Sequence, residues 1–225
     1  MTGAPVLLVH GFATSADRTW GDNGWLDLLR DVGREPIAVD LLGHGHADKP
    51  HDPAAYEQLE ALVAAQLPDE PVDAIGFSLG ARTILTIAAE QPERFDHIVA
   101  TGVGANLFRN EPSDLIAKAI RGEGDEANPV SQYFAGLARQ PGNDADALVA
   151  CMSCARPRLD DGRLAKITCP VLVVIGDKDF AGPGEPLAEA LPNAKLTTLS
   201  NLDHFATPKD FRVLDAALEF IGAAI

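Results

Sequence analysis

The chain has 225 residues, of which 46% are hydrophobic and 23% charged, a balance typical of folded globular proteins and not of disordered or collagen-like chains. Its formal net charge of −15, from 33 acidic and 18 basic residues, gives a surface that on average repels nucleic-acid phosphates and anionic lipids. We therefore expect no nucleic-acid partner.

The amino-terminal stretch argues against export and membrane insertion. No basic segment precedes the first apolar run, and that run, bounded by Pro5, is too short for a signal peptide or a membrane span. We therefore expect a cytoplasmic protein that works without a membrane.

Six short runs rich in valine, isoleucine and leucine predict buried strands. In chain order they are 5–10, 36–41, 72–77, 97–102, 170–176 and 195–200. Helical patterns lie between or after them, at 23–32, 56–67, 79–91 and 209–221. Because strands that alternate with helices form parallel sheets through crossover connections, we predict a single α/β domain over residues 1–225, with a mostly parallel sheet of about six strands flanked by helices.

The long segment 106–166, between the fourth and fifth predicted strands, interrupts this alternation. Helical patterns at 113–120, 131–139 and 144–154 are separated there by turns that contain glycine, proline and asparagine. We predict a small helical cap at this position, inserted within the domain and able to cover a pocket at the carboxyl ends of the strands.

The stretch "GFSLG" places Ser78 between Gly76 and Gly80, where the third predicted strand passes into a helix. A strand, a sharp turn and a helix in this order are the setting of a nucleophile elbow. Small residues are needed on both sides because the turn brings neighbouring backbone close. The pattern therefore predicts that the Ser78 hydroxyl is exposed at a strand end as a nucleophile.

A serine hydroxyl needs a base to accept its proton, and six histidines compete for that role. His204 follows the last predicted strand and precedes the terminal helix, so it can reach back over the sheet toward Ser78. We predict that His204 is the base. The remaining histidines are expected to have structural roles, and they are His10, His44, His46, His51 and His97.

A third group must orient the base, and an aspartate at the end of the fifth predicted strand fits this role. The stretch "GDKDF" offers two, Asp177 and Asp179. Either aspartate satisfies the chain order serine, acid, histidine, so these residues alone leave the choice open.

Negative charge that develops on a substrate carbonyl needs backbone N–H donors aimed at it, which form an oxyanion hole. The Leu79 N–H follows the nucleophile at a helix N-terminus and is one predicted donor. The other is the Phe12 N–H, in the loop after the first strand, where Gly11 permits a sharp turn.

The cysteines do not indicate a cofactor. Cys151 and Cys154 form a C-x-x-C pair and Cys169 stands alone, so the second half of a zinc site is missing. We expect these cysteines to be buried as small hydrophobic residues, and we expect neither a metal nor any other cofactor.

Taken together, these motifs resemble the α/β-hydrolase superfamily. The similar stretches are "VLLVHGF", "AVDLLGHGHADKP", "GFSLGARTILTIAAEQPERF", "PVLVVIGDKD" and "DHF", in that order along nearly the whole chain. The resemblance implies Asp179 as the acid and a helical cap over residues 106–166. It also implies that the amino-terminal hairpin common in the family is lacking, which leaves a sheet of about six strands, all parallel.

The predicted function is that of a serine hydrolase that cleaves a carboxylic ester or lactone of a small, largely apolar acyl substrate through an acyl-enzyme. Two related activities stay open: thioester hydrolysis, and carbon–carbon bond hydrolysis with Arg82 and Asn106 as candidate extra polar groups. From another class, a hydrolase-fold protein that binds a ligand or signals would keep the pocket without rapid turnover. The expected partner is a small-molecule acyl compound, and the expected assembly is a monomer or a homodimer.

Large apolar side chains in loop and cap segments are the candidates for substrate binding, besides the Phe12 side chain. They are Trp20, Trp25, Phe108, Tyr133, Phe134 and Met152.

Overall fold

The computed structural model describes residues 3–109, 114–125 and 127–223. The two residues at each end of the predicted domain therefore lie outside the described residues. So do positions 110–113 and 126 of the predicted cap, including Ser113, where its first helix was expected to begin.

Six strands form one sheet, and all of its neighbouring pairs are parallel. The strands are β1 (Val6–Val9), β2 (Pro36–Val39), β3 (Val72–Phe77), β4 (Phe95–Thr101), β5 (Val171–Gly176) and β6 (Ala194–Leu199). Their order across the sheet is β2-β1-β3-β4-β5-β6. The predicted fold class is confirmed, and each strand lies within two residues of its predicted bounds at either end.

Helices connect the strands and cover the sheet. They are α1 (Trp25–Asp31), α2 (Leu59–Ala64), α3 (Leu79–Glu90), α4 (Asp114–Arg121), α5 (Pro129–Ala138), α6 (Ala145–Ser153), α7 (Asp161–Leu164), α8 (Glu185–Ala190) and α9 (Phe211–Phe220). The sequence patterns missed the short helices α7 and α8 and a π-helical turn at Asp17–Gly21, because such short pieces carry too few residues for a helical period.

The sheet is buried on both faces because its side chains alternate between two cores. In β1, Leu7 and Val9 belong to the core beneath α2 and α3, whereas Val6 and Leu8 belong to the core beneath α1 and α9. Strands buried on both faces need continuous apolar runs, which is why valine, isoleucine and leucine dominate them.

The chain reverses its direction across the sheet at β1. It moves from β1 to β2 on one side and then returns to β3 on the other, so the loops that leave β1 and β3 separate and open a crevice. Val9 at the end of β1 is level with Gly76 near the end of β3. The loop after β1 and the elbow at Ser78 therefore face each other across this crevice.

The helices α4, α5 and α6 lie between β4 and β5 in the chain, and α4 packs against the other two. Asn143, which precedes α6, donates from its side-chain amide to the Ala13 carbonyl at 2.9 Å and to the Leu137 carbonyl at 2.8 Å. This amide ties the helical segment to the loop that follows β1.

A buried ionic cluster lies toward the amino ends of the strands, away from Ser78. The Arg34 guanidinium donates to the Asp73 carboxylate in β3, and it also donates to the carbonyls of Ala4 at 2.7 Å and Ile221 at 3.1 Å. His97 Nδ1 lies 2.7 Å from the other Asp73 oxygen. One arginine thus connects the sheet to both terminal segments of the described chain.

None of the helices in the described residues is both long and apolar enough to cross a membrane.

Candidate active site

Ser78 occupies a strained backbone position between β3 and α3. Its φ and ψ angles are 52° and −112°, a region that residues with a side chain rarely adopt. Two backbone hydrogen bonds hold it there, because its N–H donates to the Thr101 carbonyl at 2.9 Å and its carbonyl accepts from the Arg82 N–H at 3.0 Å. The turn directs the Ser78 hydroxyl out of the strand end and into a cavity.

The two glycines of the elbow are required by close backbone contacts. A Cβ atom at Gly76 would lie 2.5 Å from the Ala81 Cα atom, and a Cβ atom at Gly80 would lie 2.5 Å from the His10 carbonyl oxygen. Neither neighbour is a flexible side chain, so any larger residue would force the turn apart. This explains the small residues that the sequence places on both sides of Ser78.

His204 and Asp179 extend from Ser78 in a chain of hydrogen bonds. His204 Nε2 lies 3.1 Å from the Ser78 hydroxyl oxygen, and His204 Nδ1 lies 2.9 Å and 3.0 Å from the two Asp179 carboxylate oxygens. Both His204 and Asp179 are buried. With the proton on Nδ1 donated to Asp179, the Nε2 lone pair is available to accept the proton of the Ser78 hydroxyl.

Asp177, the alternative acid, is exposed and makes no hydrogen bond to His204. Its N–H pairs with the Leu199 carbonyl at 2.9 Å, which continues the ladder between β5 and β6. Asp179 lies two residues later in the same turn and accepts a hydrogen bond from the Ala181 N–H at 2.8 Å. The tight turn after β5 therefore brings only the second aspartate to the histidine.

The Phe12 and Leu79 N–H groups, the expected oxyanion-hole donors, lie at the ends of the adjacent strands β1 and β3. Within the described residues, neither N–H donates to another protein group. Both are therefore available to a ligand, and the Leu79 N–H also lies at the N-terminus of α3, where the helix dipole favours an anion.

Two buried histidines support the loops around this crevice. His10 Nε2 accepts from the Leu41 N–H at 3.1 Å, and its Nδ1 donates to the Gly11 carbonyl at 2.7 Å. The His44 ring contacts the Phe12 ring edge-on, with centroids 5.5 Å apart, and its Nδ1 donates to the Leu42 carbonyl at 3.0 Å. Both therefore shape the loops, as the sequence suggested.

His44 makes the stability of the protein depend on pH. Burial lowers the pKa of His44 to about 3, because a charge on the buried ring would be unsolvated and its Nε2 atom has no hydrogen-bond partner among the described residues. In the unfolded chain His44 binds a proton near pH 6.5, whereas in the folded chain it stays neutral at that pH. The free energy of unfolding therefore keeps its full value above pH 6.5 and decreases as the pH is lowered below it. Between pH 7.5 and 5.5 this residue accounts for a loss of about 1.4 kcal/mol.

Urea unfolding at pH 7.5 and pH 5.5 measures this loss. We expect the drop in unfolding free energy between the two values to be about 1.4 kcal/mol larger in the wild type than in His44→Gln, whose amide does not titrate. His46→Gln, which alters an exposed histidine of the same turn, is the matched control. An equal drop in the wild type and in His44→Gln would contradict the assignment.

A cavity of about 570 Å³ opens beside Ser78 and His204. The Phe12, Tyr133 and Phe134 side chains line it, as expected for substrate-binding residues. The Phe134 and Phe12 ring centroids are 5.9 Å apart, so helix α5 and the loop after β1 meet across the cavity. Burial and the nearby Asp203 raise the pKa of Tyr133, which therefore stays neutral at physiological pH.

The structure corrects the expectation for Trp20 and Trp25. Both indole rings are buried in the core beneath α1 and α9, where they pack edge-on with centroids 5.2 Å apart. They do not line the cavity beside Ser78. The π-helical turn at Asp17–Gly21 points Trp20 inward, a direction that the sequence pattern did not reveal.

Phe108 and Met152 also lie away from the Ser78 cavity. Phe108 ends a short 3₁₀-helix, Ala105–Phe108, and packs against the core beneath α3. Met152 lines a second cavity, together with Arg82 and Asn106, the two candidate polar groups for carbon–carbon bond hydrolysis. The expectation that these residues touch the same pocket as Ser78 is therefore corrected.

Sequence reasoning missed several residues around His204. Phe205 lies beside His204, and its ring stacks on Tyr133 of the cap. The Phe180 ring lies over the His204 ring, with centroids 4.3 Å apart. Both phenylalanines adjoin the predicted catalytic residues in the sequence, at "DHF" and "GDKDF", so their positions were a usable signal. Arg18, which donates to Gln140 and Pro141 of the cap segment, carried no such signal.

The described part of the chain contains one cluster with the composition of a metal site. It consists of His51, Asp144 and Asp146 at the surface. Asp144 already caps the N-terminus of α6 by accepting from the Ala147 N–H, and His51 Nε2 lies 3.1 Å from its carboxylate. These bonds account for the cluster without an ion.

The sequence profile of the alpha/beta hydrolase fold matches residues 4–123 of this chain. A pimeloyl-acyl-carrier-protein methyl ester esterase of Neisseria meningitidis is 33% identical in an alignment of 233 positions, which covers 88% of this chain and 85% of that protein. Two solved structures have the same fold. The enol-lactonase of Burkholderia xenovorans is 20% identical with a TM-score of 0.71, and the 2-hydroxy-6-oxo-6-phenylhexa-2,4-dienoate hydrolase of a Rhodococcus strain is 19% identical with a TM-score of 0.73. Each comparison covers 99% of this chain and 92% of the other.

Proposed function

This chain belongs to the alpha/beta hydrolase family and is a hydrolase. We propose that it cleaves carboxylic esters of small, largely apolar acyl groups through an acyl-enzyme. The proposal includes the cyclic esters, or lactones, which present the same bond. The segment 106–166 acts as the cap over the reacting groups.

In the first half of the reaction, Ser78 Oγ attacks the ester carbonyl carbon while His204 Nε2 accepts the hydroxyl proton. Asp179 stabilises the imidazolium that results, and the Phe12 and Leu79 N–H groups stabilise the negative oxygen. The bond from the carbonyl carbon to the alcohol oxygen then breaks, and the alcohol leaves with the proton from His204. The acyl group remains on Ser78.

In the second half, water takes the place of the alcohol. His204 accepts a proton from the water as its oxygen attacks the acyl carbon, and the bond to Ser78 Oγ breaks as His204 returns that proton to the serine. One ester and one water thus give one carboxylic acid and one alcohol, and the enzyme is restored.

The observation that carries the proposal is the hydrogen-bond chain from Ser78 through His204 to Asp179. A structural serine needs neither a strained elbow nor a buried, oriented base. The cavity supports the substrate class, since its volume suits a small molecule and five phenylalanine and tyrosine side chains line it. The name of the Neisseria relative supports an ester with a small alcohol, so methyl esters belong among the first substrates to test.

A fluorophosphonate probe tests the proposal directly, because it reacts with serines that an adjacent base activates. We expect the intact protein to gain the mass of one label, and fragment mass spectrometry to place the label on Ser78. Methyl and p-nitrophenyl esters of increasing acyl length should be hydrolysed, with a preference that measures the apolar part of the cavity.

Ser200→Ala is the matched control for the labelling of Ser78. It removes an exposed serine and should be labelled like the wild type. A label on any other residue would contradict the assignment of the nucleophile. A wild type that neither reacts with the probe nor hydrolyses any ester of the series would overturn the proposal in favour of a ligand-binding role.

A further inference from the structure

A second cavity, of about 800 Å³, lies next to the one that contains Ser78. The two share Phe134 as a common wall. Phe180, whose ring lies over the His204 ring, also lines the second cavity. The reaction centre therefore has cavities on two sides.

The second cavity is lined by arginines from separate parts of the chain. Arg82 lies on α3, Arg109 follows the 3₁₀-helix Ala105–Phe108, and Arg156 follows α6, with Arg158 two residues beyond. No acidic side chain of the described residues lines it, although acidic residues outnumber basic ones almost two to one in the chain. Among the described residues, the lining of this cavity is thus positively charged, in contrast to the negative net charge of the chain.

Three of these guanidinium groups donate hydrogen bonds to neutral acceptors. Arg82 donates to the Pro157 carbonyl at 2.7 Å, Arg109 to the Gly182 carbonyl at 2.6 Å, and Arg156 to the Cys151 sulfur at 3.1 Å. Among the residues that the structure describes, none of these three arginines has a carboxylate within 4.0 Å.

Two further observations show that this arrangement is electrostatically costly without a ligand. The Arg156 Nε atom is buried and has no hydrogen-bond partner in the part of the chain that the structure describes. Burial, followed by repulsion from Arg156, lowers the pKa of Arg82, and Glu60 opposes this effect without forming an ion pair. An anion in the cavity would relieve both the missing hydrogen bond and the repulsion.

Arg82 is close enough to Ser78 to contact the same molecule, because it lies one helical turn beyond Ser78, a rise of about 6 Å along α3. Leu107, Val130 and Met152 add apolar surface to the second cavity, which suits a short hydrocarbon linker.

We propose that the second cavity binds an oxyanion, a carboxylate or a phosphate, carried by the ester substrate itself, so that the preferred substrates are anionic esters. Guanidinium groups suit both anions, because their N–H donors match the two oxygens of a carboxylate or a phosphate. This inference rests on the proposed ester hydrolysis and narrows its substrate class.

Two matched pairs of esters test the inference. The first pair is p-nitrophenyl hydrogen adipate and its neutral methyl ester, methyl p-nitrophenyl adipate, which place the charge on the acyl side. The second pair is 2-(butanoyloxy)ethyl phosphate and its neutral dimethyl phosphate ester, which place it on the alcohol side. We expect the wild type to have a kcat/KM at least about tenfold higher for the anionic member of one pair, the size of effect that one charged hydrogen bond supplies. The pair that shows the preference identifies the anion.

Arg82→Gln and Arg156→Gln should each reduce that preference to within about threefold, because glutamine keeps a donor and loses the charge. Arg30→Gln removes the same charge from an exposed site on α1 and should retain the preference. Calorimetric titration of Ser78→Ala with the same esters gives a second readout that needs no turnover, and the anionic ester should again bind about tenfold more tightly.

Each result has a defined meaning. Hydrolysis of the neutral esters without a preference for either anion would overturn the anion site and leave the proposed function standing. A preference that survives in both arginine variants would overturn the assignment of the site. If no ester is hydrolysed, the proposed function fails, and tighter binding of an anionic ester to Ser78→Ala would still support the site.

Discussion

Replacing Asp179 with asparagine is expected to lower kcat for p-nitrophenyl ester hydrolysis by about 10³- to 10⁴-fold, with little change in folding. The Ala181 N–H fixes Asp179 Oδ1, so the asparagine oxygen would stay there and its amide nitrogen would replace Oδ2, which lies 3.0 Å from His204 Nδ1. The histidine would then carry its proton on Nε2, the atom that must accept the Ser78 proton. The kcat from steady-state kinetics and the rate of fluorophosphonate labelling should both decrease in this variant.

Asp177→Asn is the matched control, because it makes the same chemical change two residues earlier in the same turn. Asp177 is exposed and does not contact His204, so we expect its kcat to stay within about threefold of the wild type. Circular dichroism and thermal melting of both variants establish that they fold. A large loss in Asp177→Asn with a small loss in Asp179→Asn would reverse the assignment of the acid.

The largest effect on stability is expected at Asp73, in the ionic cluster far from Ser78. Asp73→Ala would leave the buried Arg34 guanidinium without its carboxylate, and breaking a buried ion pair from one side costs about 3–5 kcal/mol. For a chain of this length such a loss lowers the melting temperature by about 6–20 °C. Urea and thermal unfolding measure both quantities.

Two other variants separate the buried ion pair from a general effect of charge. Asp27→Ala removes the partner of Arg30 in an exposed pair on α1, and we expect a change below about 1 kcal/mol. The double variant Arg34→Met/Asp73→Ala removes both buried charges and should recover part of the lost stability. If Asp73→Ala were no less stable than Asp27→Ala, the cluster would not contribute as proposed.

Much of the fold followed from local pattern alone. Strands buried on both faces must be continuously apolar, and this requirement marks them in the sequence whatever their neighbours are. The elbow at Ser78 was also predictable, because Gly76, Ser78 and Gly80 lie within five consecutive residues, although the contact that requires Gly80 comes from His10 at the end of another strand. His204 could be chosen because the order of strands and helices fixes which loops reach the same edge of the sheet.

The choice between Asp177 and Asp179 required coordinates. Both lie in one turn after β5, and the rotation of the chain through that turn decides which carboxylate meets His204. The amino-acid types in this turn do not indicate that rotation. From the sequence, only the family resemblance distinguished Asp179 from Asp177. The aromatic residues had the same ambiguity: Trp20 and Tyr133 are both large and apolar, yet one is in the core and the other lines the cavity.

The class of fold, the nucleophile and the base could be predicted from the sequence, because each prediction depends on residues that are neighbours in the chain or on the order of whole elements. Three features required the three-dimensional structure: the position of the acid, the lining of the first cavity, and the presence of Arg82, Arg109 and Arg156 around a second cavity. Those arginines come from three segments separated by more than twenty residues. Residues so far apart in the chain show no regular spacing that would predict their contact. Their common cavity depends on how α3, the loop after β4 and the segment after α6 are placed in the fold.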